Sequence, residues 1–559
     1  MYPIPCAGVS QAGELAMREM SDLPSEDRAL HVLNRLAFGP RPGDLERVRG
    51  IGYERYIEQQ LHPESIPLAA ALSERLSRMR TLRMTPVELF VEFMLPIRRA
   101  AKGDKQAKLK ARRRARIAIE QAAEARLLRA VESPRQLEEV MTAFWFNHFN
   151  VFAGKGPCLV WTGSFEQEAI RPHVLGRFRT LLGATARHPA MLFYLDNWLN
   201  TAPGSPGARG RFKGINENYA REIMELHTLG VNGGYTQQDV ITLAHILTGW
   251  GFPPLGRLAR LNRMRRAGFF RFGRERARMQ AREEIFANHT GFYFDPRRHD
   301  FSTKIFLGRK IEGGGAAEVE HALDILASHP ATARHLSFEL ARNFVADEPP
   351  PAMVNAMAER YLASGGEIRA VMLTMLERPE FFDRACARNK FRTPYEYVIA
   401  TVRATGVNVT NFRPMAGTMR MLGMPLYGCQ TPNGYAETKE AWLNPDAMMM
   451  RLSFATALGT GHLPLERPEF EEVAYADAGG GAAMEMRGVR RPLEKNYARR
   501  EGFAEKHAAR GAPMTPPEAP HLTRTLGNAF SAETNRAITS APERLRAALV
   551  LGSPEMMTR

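Results

Sequence analysis

Cysteine is scarce in this chain. Its 559 residues hold four, Cys6, Cys158, Cys386 and Cys429. They lie far apart and form no C-x-x-C, so neither a thiolate zinc site nor a redox motif is indicated, and a disulfide between distant pairs stays open. Long apolar runs are missing as well: no window of 18 apolar residues exists, and no transmembrane helix is expected. The opening M-Y-P-I-P-C-A-G-V-S-Q-A-G-E-L lacks the charged start and apolar stretch of a secretory signal, which makes the cytoplasm the expected location. Strand-like alternation is rare, whereas Ala, Leu, Arg, Glu and Met abound. That balance predicts a mainly α protein, a large multi-helix array with one small β-sheet near residues 290–312.

What is present in excess is positive charge, 76 Lys and Arg against 60 Asp and Glu, a net +16. Such a balance suits nucleic acid or an anionic surface. Zinc-finger spacing, an RNA-recognition signature and a helix-turn-helix are all missing, so nucleic acid is not the expected partner. The densest basic run, K-L-K-A-R-R-R-A-R before Ile117, continues into a helical pattern and reads as the solvated face of a long helix. Residues 1–24 read as a leader, 25–465 as a main helical domain with a basic insertion at 251–285, 466–520 as a flexible linker, and 521–559 as a helical segment docked on the core.

The stretch from Asn216 to Trp250, N-E-N-Y-A-R-E-I-M-E-L-H-T-L-G-V-N-G-G-Y-T-Q-Q-D-V-I-T-L-A-H-I-L-T-G-W, concentrates acids, amides, histidine and aromatics. A first helix is predicted from about Glu217 to Leu229, with Gly230 in left-handed conformation behind it. Asn218, Glu222 and Glu225 share one face, and Arg221 stands one turn before Glu225. Thr236 and Asp239 form an imperfect capping box for a second helix that buries Val240, Leu243, Ala244 and Leu247. Inward Glu residues at this spacing hold metals in helical bundles. They also form salt-bridge networks without chemistry, and in so arginine-rich a chain that reading comes first. The segment G-V-N-G-G-Y-T-Q-Q-D lacks the alternating oxygen ligands of an EF-hand.

Other runs supply companions. In F-W-F-N-H-F-N-V-F, Trp145, His148, Phe149 and Phe152 share a helical face that predicts deep burial. His148 is the best histidine for a proton carrier, and Asn147 and Asn150 must find partners if buried. Asp196 and Asn197, beside Trp198, follow the helix begun by His188 and Pro189. The glycine-rich loop after Trp198 borders the central run as a connector or a lid. His299 and Asp300 form a second polar cluster next to short β alternation. The pattern of residues 368–384 recurs at 544–559, Pro379-Glu380 matching Pro554-Glu555, as a two-copy packing unit.

Taken together, L-N-R-L-A-F-G-P, F-W-F-N-H-F, H-P-A-M-L-F-Y-L-D-N, the central run, H-D-F-S-T-K-I-F-L-G and P-N-G-Y resemble the bacterial family of unknown function numbered 1800. The resemblance covers most of residues 25–465 and the final segment. It implies a largely helical fold, frequent export, and a neighbouring sulfatase-like family as a source of a protein partner; it brings no catalytic assignments. The chain departs from the family in lacking an evident export signal and in its basic insertion.

Two functions follow. The first is a helical scaffold or accessory protein with a buried polar cluster, acting with a protein partner. The second is a metal-dependent hydrolase. Its catalytic set would be Glu222, Glu225 and His148, and its binding residues Asn218, Arg221, Asp196, Asn197 and Trp250. A divalent metal would sit on Glu222, Glu225, His299 and Asp300, lowering the pKa of a bound water. His227 points away from the two glutamates on a helical wheel, which weakens its part in such a site.

Overall fold

The computed structural model describes residues 22–100, 104–253, 291–466 and 514–559. The leader, most of the basic insertion and most of the linker expected from the sequence therefore lie outside the described residues. Within them the chain is mainly helical, as expected. Helices α1 (Ser25–Leu36) and α2 (Tyr53–Leu61) open the chain. Three more, α3 (Lys105–Glu132), α4 (Gln136–His148) and α5 (Cys158–Ser164), build its centre. The basic run starts α3, where Arg112, Arg113 and Arg114 are exposed, and the buried alanines Ala115, Ala118, Ala122 and Ala125 follow at helical spacing. This small-residue ridge lets α5 come close. A Cβ on Gly163 would stand 2.8 Å from that of Ala122, so only glycine fits.

The central run forms α6 (Asn218–Glu225) and α7 (Gln237–Ile246). The first is shorter than predicted: it ends before Leu226, and the following turn closes at Gly230, whose φ is +80°. The capping box is complete, Thr236 Oγ1 accepting from Asp239 N–H at 3.2 Å and Asp239 Oδ2 from Thr236 N–H at 2.9 Å. Val240, Leu243, Ala244 and Leu247 are buried as their spacing predicted.

Instead of one sheet near 290–312 there are two small ones. Strand β1 (Trp250–Gly251) pairs antiparallel with β2 (Tyr293–Phe294), and β3 (Lys304–Phe306) with β4 (Arg309–Ile311). Local alternation revealed the hairpin, whereas the partner of β2 comes from the end of the central run.

Helices α8 (Ala316–Ala327), α9 (Pro330–Phe344) and α10 (Ile368–Glu377) lead to α11 (Pro394–Thr405). Every residue of α11 except Glu396 is buried, which makes it the axis of the second half. Helices α12 (Pro445–Gly459) and α13 (Glu543–Leu551) pack on each other so closely that a Cβ on Gly459 would meet the Ala548 backbone nitrogen at 2.5 Å. The final residues run beside the start of α11: Arg392 N–H donates to Met557 O and Arg559 N–H to Lys390 O, both at 2.8 Å. The two copies of the repeated pattern take the same form, a helix followed by a short helical turn at Pro379–Phe382 and at Pro554–Met557. Among the described residues no helix is long and apolar enough to cross a membrane.

Candidate functional site

The acids of α6 meet an arginine before they meet anything else. Arg221 donates from Nη2 to Glu217 Oε2 at 3.1 Å and from Nη1 to Glu225 Oε1 at 3.4 Å, spanning one turn each way. Gln237 ties the end of this chain, its Oε1 accepting from Arg221 at 2.9 Å and its Nε2 donating to Glu217 at 2.8 Å. Glu222 is half-buried beside them; burial and then the charge of Glu225 push its carboxyl up, against the pull of Arg221.

The companions inferred from the sequence serve three other places. Asp196, held at φ 59°, accepts from Lys155 Nζ at 2.8 Å. Asn197 is fully buried, donating to the Leu247 and Trp250 carbonyls at 3.3 and 3.0 Å and accepting from Asn200, while Asn218 Nδ2 donates to Leu195 O at 3.2 Å. These bonds, with buried Trp250, lock the ends of α6 and α7 to the preceding loop. His299 lies between Thr248 O and Glu318 Oε1, each 2.8 Å from a ring nitrogen, and Lys304 Nζ donates to Glu318 Oε2 at 2.8 Å. Asp300 is 2.8 Å from His245 Nδ1. His148 directs Nε2 at the His227 carbonyl, 3.2 Å away, with its ring near those of His227 and His335. Burial lowers its pKa to about 3, helped by His335.

The metal set Glu222, Glu225, His299 and Asp300 is accordingly not assembled. Of its members, Glu225 is engaged by Arg221, His299 by Glu318 and Thr248, and Asp300 by His245. Among the described residues no group of three or more His, Cys, Asp and Glu is placed to hold a metal. The wheel did not reveal the arginine that covers one of the two glutamates.

A different polar centre forms where α4 meets the loop carrying P-N-G-Y. Asn147 Nδ2 donates to Tyr435 O at 2.8 Å and to Glu437 Oε1 at 3.3 Å, and its Oδ1 accepts from Tyr435 N–H at 2.8 Å. Asn150 donates to the Cys429 and Thr431 carbonyls at 3.1 and 2.8 Å. Gly434 has φ +72°, and a Cβ there would stand 2.4 Å from the Asn147 carbonyl oxygen. The asparagines thus find the partners that burial demands, through backbone groups of a loop nearly 300 residues away. Replacing Gly434 by Ala should lever this loop off α4 and cost more than the roughly 1 kcal/mol of a positive-φ alanine; urea unfolding, with Tyr and Trp fluorescence of the folded state, would read both effects.

Beneath the loop is a cavity of about 70 Å³. Its lining includes Arg126, Asn147, Asn343, Glu396, Glu437 and Arg559. Arg126 is packed over the rings of Phe146, Tyr395 and Tyr427 at 5.0, 4.9 and 5.4 Å and bonds Glu166 at 3.2 Å. Arg559 Nη2 pairs with Glu396 at 2.8 Å and donates to Asn343 O at 2.7 Å. Burial, then Glu339, push the Glu437 carboxyl up to about 7, against Lys390.

A family model described as "Protein of unknown function (DUF1800)" matches residues 31–558. The chain belongs to this family. No curated protein and no solved structure matches it. The DUF1800 match spans both the central run and the P-N-G-Y centre. Sequence reasoning named Asn147, Asn150 and the P-N-G-Y run but did not join them, and it passed over Glu437, Glu396 and Arg559. The available signal was the two asparagines of F-W-F-N-H-F-N, Asn150 buried and Asn147 half-buried, which required acceptors and donors from elsewhere in the chain.

Proposed function

We propose that this DUF1800 protein is a helical accessory protein that acts with a protein partner, its buried polar clusters serving to fix the framework. The observation that carries the reading is an open groove of about 880 Å³ between α1, α2 and α10. Its apolar residues include Tyr53, Ile57, Leu61, Leu373, Leu376 and Phe382. Charges of both signs surround them, Arg360, Arg369 and Arg378 among Glu54, Glu58, Glu367 and Glu377. Apolar surface bordered by mixed charge suits a folded protein segment, which buries side chains at the centre and pairs charges at the rim. The sulfatase-like proteins encoded beside members of the family are the partner we assign to it.

Co-expression of such a neighbour with the full chain, followed by size-exclusion chromatography and calorimetry, tests the proposal. Leu373, 39% exposed, replaced by Asp should abolish the complex while leaving stability within about 0.5 kcal/mol, as for other surface changes. Glu222→Gln and Glu225→Gln should change neither the complex nor, beyond about 1 kcal/mol, the stability, because Glu222 has no ion pair among the described residues and the Arg221–Glu225 pair is open to solvent screening. A complex indifferent to Leu373→Asp would remove the groove from the account, and loss of the complex in the glutamine variants would return attention to α6.

A further inference from the structure

The cavity under the P-N-G-Y loop carries polar atoms that nothing among the described residues satisfies. Asn343 Nδ2, Arg559 Nε and Glu437 Oε2 are all buried without a hydrogen-bond partner. All three belong to residues lining the same space. Asn343 and Arg559 are 7% and 4% exposed. The Asn343 amide is oriented by Arg559, which donates to Asn343 Oδ1 at 3.2 Å and leaves Nδ2 as a donor. The space thus presents two donors and one carboxyl. Buried polar groups are almost always partnered, so three orphans on one cavity call for an occupant that supplies acceptors to two and meets the third.

The surrounding charge points to an anion. Arg35, Arg392 and Arg451 are 0%, 3% and 0% exposed. Their guanidinium groups donate to the Cys386, Met556 and Arg392 carbonyls and to the Asn389 and Asn34 amides. Among the described residues no carboxylate lies within salt-bridge distance of any of the three. Glu396, which interacts with all three through space, is already paired with Arg559. The three arginines stand behind the cavity lining, connected to it through Glu396, and leave the neighbouring core with more fixed positive than negative charge.

We propose that the cavity binds a small oxyanion that itself carries a proton, hydrogen phosphate or the phosphoryl group of a small monoester. Its unprotonated oxygens accept from Arg559 Nε and Asn343 Nδ2, and its P–OH donates to Glu437 Oε2. A space of about 70 Å³ is well above the roughly 10–15 Å³ that a single water requires, so an occupant larger than one water fits. Ala436, also on the lining, is exposed and marks the side of the loop from which a ligand enters. The carboxyl sets the selectivity. Ionised, Glu437 accepts from a protonated phosphate but repels sulfate, which has no proton to give near neutrality. Protonated, it donates to either. The charged groups acting on it are Glu339, Lys390, Glu396 and Arg559, from α9, α11 and its approach, and the chain end.

The test is calorimetric titration of the dialysed full chain with sodium phosphate, sodium sulfate and glycerol 3-phosphate at pH 8.0 and 6.0. One saturable phosphate site is expected at pH 8.0, with sulfate at least tenfold weaker and the gap narrowing at pH 6.0. Glycerol 3-phosphate, a dianion without a P–OH at pH 8.0 because its second pKa is about 6, should bind there as weakly as sulfate; binding as phosphate does at pH 6.0 assigns the phosphoryl group, and failure to bind at pH 6.0 assigns free phosphate. Glu437→Gln should bring sulfate to within threefold of phosphate at pH 8.0, since the amide donates to both. If that variant does not fold, the pH dependence of sulfate binding to the natural chain decides alone. No saturable phosphate binding would mean a cavity filled by water, and equal affinity for sulfate at pH 8.0 would remove the proton from the recognition; either overturns the proposal. The site is independent of the partner groove, so each can fail without the other.

Discussion

Acidification from pH 7.0 to pH 4.5 is expected to bring the protein close to unfolding, through histidines that the fold keeps neutral. Burial, then repulsion by Arg35, lowers His31 to about 3, although the Phe381 carbonyl pulls the other way. Burial alone lowers His188 to about 3, and burial followed by His148 and His335 lowers His227 well below its ordinary value. In the unfolded chain each would titrate near 6.5. Above that pH both states are neutral and these residues contribute no pH dependence. Below it the unfolded chain takes up protons that the folded chain refuses, so stability falls with pH through the window from 6.5 to about 3. Two pH units below 6.5 cost about 2–3 kcal/mol for each fully depressed histidine. Three together approach the whole stability of an ordinary domain. His188 adds a structural reason: its Nδ1 accepts the Ala190 N–H at 3.2 Å and caps the helix that begins at Pro189, which a protonated nitrogen cannot do. Glu437 and Glu168, both pushed up to about 7 by burial, act in the opposite direction and gain stability as pH falls from 7, which offsets part of the loss. Urea midpoints at the two pH values measure the effect. Equal midpoints would mean that water reaches these rings.

The parts of the molecule that were legible in the sequence are those decided by neighbours along the chain. Thr236 and Asp239 are three residues apart and cap their own helix. The buried stripe of α7 repeats with the helical period, and the two H-P-A sequences at 188–190 and 329–331 each begin a helix with the histidine ring as cap. The same local reasoning overextended α6, because it could not see that Leu226 and His227 leave the helix to pack elsewhere. It also placed Glu222 and Glu225 on one face without revealing that Arg221 reaches both forward and back. The polar cavity was illegible for a simpler reason. Asn147, Asn343, Glu437 and Arg559 come from four distant stretches, and only tertiary packing puts them around one space. A single asparagine on an aromatic helix signals that a partner exists, but not which one.

The largest loss from a single substitution is expected at Glu166. Its carboxylate is 1% exposed, with Arg126 at 3.2 Å and Arg171 at 3.5 Å, and it accepts from Tyr427 Oη at 2.9 Å. Arg171 continues the network in a two-pronged pair with Glu139 at 2.8 and 2.9 Å. Removing the charge as Glu166→Gln leaves Arg126 enclosed by aromatic rings that attract it but cannot replace a counter-ion. Breaking a buried pair on one side costs about 3–5 kcal/mol, because the other charge stays desolvated and alone. The exposed pair Glu74–Arg78, with side chains 65% and 61% exposed, provides the contrast: Glu74→Gln should cost under about 1 kcal/mol. Denaturant unfolding of the two variants gives both numbers by one method. A second step separates charge from packing. Arg126→Met added to Glu166→Gln should recover part of the loss, since the apolar side chain fills the aromatic cage without a charge to compensate. Should Glu166→Gln cost no more than Glu74→Gln, the network's part in fixing the framework would have to be given up.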